Sequence, residues 1–106
     1  MTALEVIRAA RAKIERPECW LGGHPSPSAE DENGIGVSPD SGQACRWCAF
    51  GALESLVRYS GEYEAWKAVT AQVDGMLTVW NDTPGRTHWE VLAAFDRAIA
   101  SLESNA

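Results

Sequence analysis

Apolar residues recur with helical spacing in four stretches of this chain, and the rhythm breaks for a long interval between the first and the second. Thr2-Ala3-Leu4-Glu5 opens the first stretch as a capping box, in which the Thr2 hydroxyl and the Glu5 carboxylate satisfy free backbone donors. Leu4, Val6, Ile7, Ala10 and Ile14 form its apolar stripe. Glu5 with Arg8, and Arg11 with Glu15, stand at helical ion-pair spacing on the outer face. Pro17 ends the helix, because the residue before a proline avoids helical angles. The second stretch runs from about Gln43 to Arg58, with Ala49, Leu53, Leu56 and Val57 sharing a face and Gly61 closing the break after it. The third spans about Glu62 to Leu77, with Tyr63, Trp66, Val69, Val73, Met76 and Leu77 facing inward. The fourth begins at Thr87 with a second capping box, Thr87-His88-Trp89-Glu90, and carries Val91, Leu92, Phe95, Ala98, Ile99 and Leu102 as a broad stripe.

The interval from 17 to 42 holds four of the five prolines and five of the nine glycines. A connection of that length in a small domain is an ordered functional loop or a disordered one. Trp20, Leu21, Ile35 and Val37 supply apolar anchors, so the expectation is an ordered flap lying on the core. Asn33-Gly34 is a turn dipeptide able to nucleate a short β-hairpin within it. A second turn-rich linker, Trp80 to Arg86, separates helices three and four, and Thr83-Pro84-Gly85 suits a type II turn. No stretch alternates like a long strand, and no segment repeats. The pattern predicts one mainly α domain over residues 1–106: a compact four-helix arrangement with a long Pro/Gly-rich flap at 17–42 between helices one and two.

Composition narrows the function classes. Hydrophobic residues make up 45% of the 106, which is ordinary for a globular chain, and five tryptophans are enough to build a core without metal or disulfides. A net charge of -6 argues against direct nucleic-acid binding, which needs clustered Lys and Arg. It favours solubility, or a basic protein partner. No segment approaches the ~20 apolar residues that span a bilayer, and residues 1–16 mix charged with apolar positions, unlike a secretion signal. These features point to a cytoplasmic protein with reduced thiols, and to no membrane partner. Oligomeric state is not legible.

The candidate chemistry centres on Cys45-Arg46-Trp47-Cys48-Ala49-Phe50, two thiols three apart at the head of the second helix. A helix N-terminus lowers a thiol's pKa, but redox catalysis of the thioredoxin type places this motif after a strand, and nothing before Cys45 reads as one. Cys19, Cys45, Cys48 and His24 could supply a zinc site and staple the loop to that helix, although no second Cys-x-x-Cys completes the pattern. Cys48 could act as a nucleophile with His88, helped by Asn81 or Asp82. Gln43 and the Trp47-Cys48-Ala49-Phe50 segment resemble the papain-type cysteine protease helix, with Trp and Cys out of order and no room for the β domain that holds that family's His. Each residue also has a plain structural role: Cys48 as a small core hydrophobe, His88 as the exposed first residue of a helix, Asn81-Asp82 in an Asx-type turn. A calcium loop starting at Asp31 fails, because its closing position falls on Gly42.

Trp20 with Gly22, the Asp31…Gly34…Val37 loop, Ala44-x-x-Trp47-Cys48-Ala49-x-Gly51-Ala52-Leu53, Trp80-Asn81-Asp82-x-Pro84-Gly85-Arg86-Thr87-His88-x-Glu90-Val91-Leu92 and Phe95-Asp96-Arg97-Ala98-Ile99 together resemble a family of small bacterial and phage-borne proteins of unknown function, family 6197. The resemblance covers most of the chain from residue 20 onward and carries no established activity. It implies that Cys48 is the family's cysteine, that Cys19 and Cys45 are extras, and that Trp20, Cys48, Asn81, Asp82, Thr87 and His88 converge in space. The resulting expectation is a binding or regulatory module without catalysis or cofactor, engaging a protein partner. Its contact surface is expected on the flap and the 81–88 turn, with Trp20, His24, Trp47, Trp80, Arg86 and Thr87 as binding residues. The alternatives are a small cysteine-dependent enzyme using Cys48 with His88, and a zinc-stapled adaptor.

Overall fold

The computed structural model of the chain describes residues 1–105, and among them the backbone forms five α-helices. These are α1 (Ala3–Lys13), α2 (Ala49–Glu54), α3 (Glu62–Thr70), α4 (Leu77–Asp82) and α5 (His88–Ser104). A single 3₁₀ turn follows α1 at Pro17–Cys19, and two strands of two residues each, β1 (Ala29–Glu30) and β2 (Arg46–Trp47), pair antiparallel.

Both capping boxes form where the sequence places them. Thr2 Oγ1 accepts from the Glu5 amide at 3.1 Å while the Glu5 carboxylate accepts from the Thr2 amide at 2.8 Å, and Thr87 with Glu90 repeats the arrangement at the head of α5. Val6, Ile7 and Ala10 of α1, with its C-cap Ile14, meet Val91, Ala94, Phe95 and Ala98 of α5 in the core, and α2 and α3 add Ala49, Ala52, Leu53, Ala65 and Val69. On the outer face the pairing differs from expectation. Arg11 does bond Glu15 at 3.2 Å, but it also reaches Asp96 at 2.7 Å, and Arg8 pairs with Glu103 rather than Glu5. The Arg8–Glu103 and Arg11–Asp96 pairs tie α1 to α5 and are worth at most about 1 kcal/mol each.

The middle of the chain departs from the four-helix expectation in three places. Helix two spans Ala49–Glu54, not Gln43 to Arg58. Residues 46–47 are instead held as strand against 29–30, and the Cys45 and Cys48 amides donate to the Glu30 and Ser28 carbonyls at 3.0 Å each. Helix three stops at Thr70. The chain then unwinds through short-range turns to Gly75, whose φ of +79° is a left-handed conformation open to glycine and costly for a branched residue. A separate helix, α4, runs from Leu77 to Asp82 and takes in Trp80, Asn81 and Asp82, the first part of the stretch expected to be a turn-rich linker. The second half of that linker is the expected type II turn: Arg86 N donates to Thr83 O at 2.9 Å, and Gly85 has a φ of +86°.

The 17–42 segment is held down by half-buried Trp20, packed on the core, and by buried Leu21 and Ala29; Val37 is only half-buried, and Ile35 is exposed and anchors nothing. The Asn33-Gly34 turn forms, with Gly34 at a φ of +79° and the Asp31 carboxylate accepting from the Asn33 and Ile35 amides at 2.9 and 3.0 Å. It closes on one bridge, Glu30 to Gly36, in place of a full hairpin. The ladder that fixes the segment runs to β2, where Arg46 bonds Glu30 at 2.6 Å and also donates to the Asp31 carbonyl.

Candidate functional site

The Asn81 side chain, fully buried, joins three elements distant in sequence. Its Oδ1 accepts from the Trp20 indole N–H at 2.9 Å and from the Ala49 amide, a free donor of the first turn of α2, at 3.0 Å. Its Nδ2 donates to the Leu21 carbonyl at 2.8 Å and to Asp82 Oδ1 at 2.9 Å. Trp20 and Ala49 can only donate and Leu21 O can only accept, so the amide has one orientation. All four of its hydrogen-bonding positions are filled. The Asn81 carbonyl adds a fifth tie, from the Gly23 amide at 3.0 Å. Gly22 has no Cβ because one would fall inside the Trp20 ring. Asn81 therefore sits within α4 and caps α2; it is not in an Asx turn.

Cys48 is the N-cap of α2. Its Sγ accepts from the Gly51 amide at 3.2 Å, and only 4% of the residue is exposed. Burial pushes the thiol above its ordinary pKa, the Gly51 and Phe50 amides draw it part of the way back, and the nearby Asp82 carboxylate raises it further. A nucleophilic cysteine needs the opposite environment: electropositive and open. His88, half-buried rather than exposed, has Nε2 2.6 Å from the Ile14 carbonyl and its ring tilted against Trp20 at 5.9 Å. Of the proposed catalytic set, Asn81 and Asp82 do meet, bonded to each other and not to a thiol.

Cys19 and Cys45 are half-buried free thiols, and His24 is exposed with Nδ1 3.1 Å from the Pro25 carbonyl. Among the described residues no three His, Cys, Asp or Glu side chains are grouped to hold a metal ion, so Cys19, Cys45, Cys48 and His24 do not assemble into the proposed zinc staple.

The remaining sequence candidates are engaged within the fold. Trp47 donates to Pro39 O at 3.0 Å beneath the Lys13 ammonium, and Thr87 caps α5. Trp80 and Arg86 do come together, the guanidinium 4.1 Å over the ring. They line a cavity of about 320 Å³ with Trp89 and Arg97. Its cations are committed: Arg86 bonds Trp80 O and Glu90, and Arg97 bonds the Gln72 carbonyl.

A different surface is open. Phe50, Trp66, Thr70, Met76 and Leu77 line a groove of about 430 Å³ between α2, α3 and α4. It continues past Phe50 and Trp66 into a second recess of about 250 Å³, whose rim carries Tyr63, Glu54 and Glu62. Tyr63 and Met76, expected inward, are 61% and 68% exposed, since both point toward the face the core leaves uncovered. The Glu62 carboxyl stands above its usual pKa, first through burial and then through the Glu54 charge. The chain carried two signals of this face: the Tyr63, Trp66, Thr70 stripe, and a Glu62 whose pairing positions within α3 hold Ala65 and Trp66.

Fold and site together define a small helical domain with a sealed polar joint and an open apolar groove. The chain belongs to the family described as a family of unknown function, DUF6197, whose model matches residues 1–101. No curated protein and no solved structure matches it. No helix among the described residues is long and apolar enough to cross a membrane.

Proposed function

We propose that the protein is a non-catalytic binding module for another protein, and that its working face is the groove between α2, α3 and α4. The observation that carries this reading is the concentration of exposed apolar side chains there: Tyr63 and Met76 flank a recess floored by Phe50, Trp66 and Leu77. Contiguous apolar surface is costly to leave in water and marks interaction sites on small soluble domains. The flap and the 81–88 turn are the weaker surface, because Trp20, Trp47, Asn81, Thr87 and His88 spend their polar groups within the fold. The cysteine-enzyme reading has no comparable support: its nucleophile is a buried helix cap with a raised pKa.

Site-specific photo-crosslinking in the native host tests this. A photoreactive residue at position 63, on the groove's rim, is expected to give a discrete heavier adduct, and the same residue at Ala12, exposed on α1, to give none. Equal adducts at both positions, or adducts only at position 12, would contradict the reading.

A further inference from the structure

We infer that the groove receives an amphipathic helix of a partner protein whose apolar face is followed, at one end, by a Lys or Arg that sits between Glu54 and Glu62. This rests on the groove being the working face and names what it takes. Three observations carry it.

The groove has two compartments of unlike character. The larger, about 430 Å³, is walled by Phe50, Trp66, Met76 and Leu77 and suits successive large apolar side chains. The smaller, about 250 Å³, shares Phe50 and Trp66 with it but opens onto two carboxylates. An apolar trough with charge at one end matches a helix that presents anchors at i, i+3 or i+4 and i+7 and a charged residue one turn beyond.

The acids lack partners of their own. Among the described residues, every salt bridge of the chain involves other carboxylates. Lys67, the one lysine of α3, bonds Glu64 at 3.1 Å and lies 4.8 Å over the Tyr63 ring, and Arg58 lies over Tyr59. Two like charges share this rim, and among the described residues neither makes a salt bridge.

The rim is unfavourable in the free protein. Burial and the Glu54 charge both act against ionised Glu62, and a cation brought in by a partner reverses the second effect. With a net charge of -6, the whole chain also steers a basic partner toward it.

Synthetic peptides of roughly 15 residues, long enough to hold a helix on a surface, test the inference by NMR titration. One carries a leucine face with lysines, one the same face with glutamates, and one the lysines with the leucines scattered. The Leu/Lys peptide is expected to shift the Trp66 indole and Met76 methyl signals, with the Leu/Glu peptide at least about tenfold weaker. The double variant Glu54→Gln/Glu62→Gln should erase that difference. Met76→Asn should weaken both peptides about tenfold through lost apolar burial. Met76 is the uncapped N-cap of α4 and is exposed, so asparagine there is compatible with the fold.

Equal seating of the Leu/Glu peptide in the groove would overturn the cationic partner while leaving the groove as a binding face. Equal binding of the scattered peptide would reduce the effect to general attraction for an acidic protein and overturn the inference. Concentration-dependent shifts of Trp66 and Met76 in the protein alone would assign the groove to a second copy and overturn it too.

Discussion

The Asn81 joint and the α2–α3–α4 groove lie on two sides of the same short helix and obey opposite rules. At the joint every polar atom is spent: Asn81 makes four side-chain bonds, and its partners are an indole, a helix-terminal amide, a carbonyl and a carboxylate. At the groove the apolar surface is uncovered, two carboxylates share a rim, and the Thr70 hydroxyl is buried without a hydrogen-bond partner. A domain of this size is stable by only about 5–15 kcal/mol. Polar groups that cost stability and contribute no internal bond are therefore informative. The joint is what the fold needs, and the groove is what the proposed binding role would explain.

The sharpest way to break this contrast is Asn81→Leu. It leaves the Trp20 indole, the Ala49 amide and the Leu21 carbonyl buried without partners, at about 1–3 kcal/mol each before relaxation. A loss of at least about 3 kcal/mol is expected, read as a fall in Tm of roughly 12 °C or more. A fall of a few degrees would mean that the joint is decoration. Trp20→Phe removes one donor and leaves Asn81 Oδ1 its bond to Ala49, so about 1–2 kcal/mol is expected by urea denaturation.

Groove variants should move the other way. Thr70→Val replaces an orphaned hydroxyl with a methyl of similar shape and is expected to stabilise the protein by about 1 kcal/mol. Destabilisation would reveal a bond to that hydroxyl. Glu62→Gln is the smallest effect and carries a pH signature. The folded carboxyl has a raised pKa, so its protonated form is the favoured one. Its contribution is present below the unfolded value near 4.5 and turns into a cost as pH rises through the raised folded value. Melting curves should coincide for wild type and variant near pH 3 and separate by a degree or two, variant higher, at pH 7. A lower Tm for the variant at pH 7 would contradict the unfavourable rim.

What could be read from the chain divides along the same line between local and distant causes. The capping boxes at Thr2 and Thr87 and the turn at Thr83-Pro84-Gly85 are written within four residues, and all of them form. The start of α2 is not local. Gln43 to Trp47 has a composition compatible with helix, but β1 claims residues 46 and 47 as strand from 16 to 18 positions away. Asn81 reads as a turn former because nothing near it reveals that its Oδ1 partners are 61 and 32 residues upstream. Only the family resemblance placed it beside Trp20 and Cys48. The groove escaped for another reason: helical periodicity marks Tyr63 and Met76 as one apolar face but carries no information about whether anything covers it.

Cys48 tests the joint most directly, since the same residue is the joint's helix cap and the enzyme reading's nucleophile. Pulsed alkylation of the native protein, read residue by residue in the mass spectrometer, follows its three thiols separately. Half-buried Cys19 and Cys45 are expected to label first. Cys48, 4% exposed and bonded to the Gly51 amide, should label only as fast as the protein unfolds, with a rate that rises in step with denaturant. Labelling of Cys48 as fast as Cys45 at neutral pH would contradict the account, and would put a reactive centre where it places a structural one.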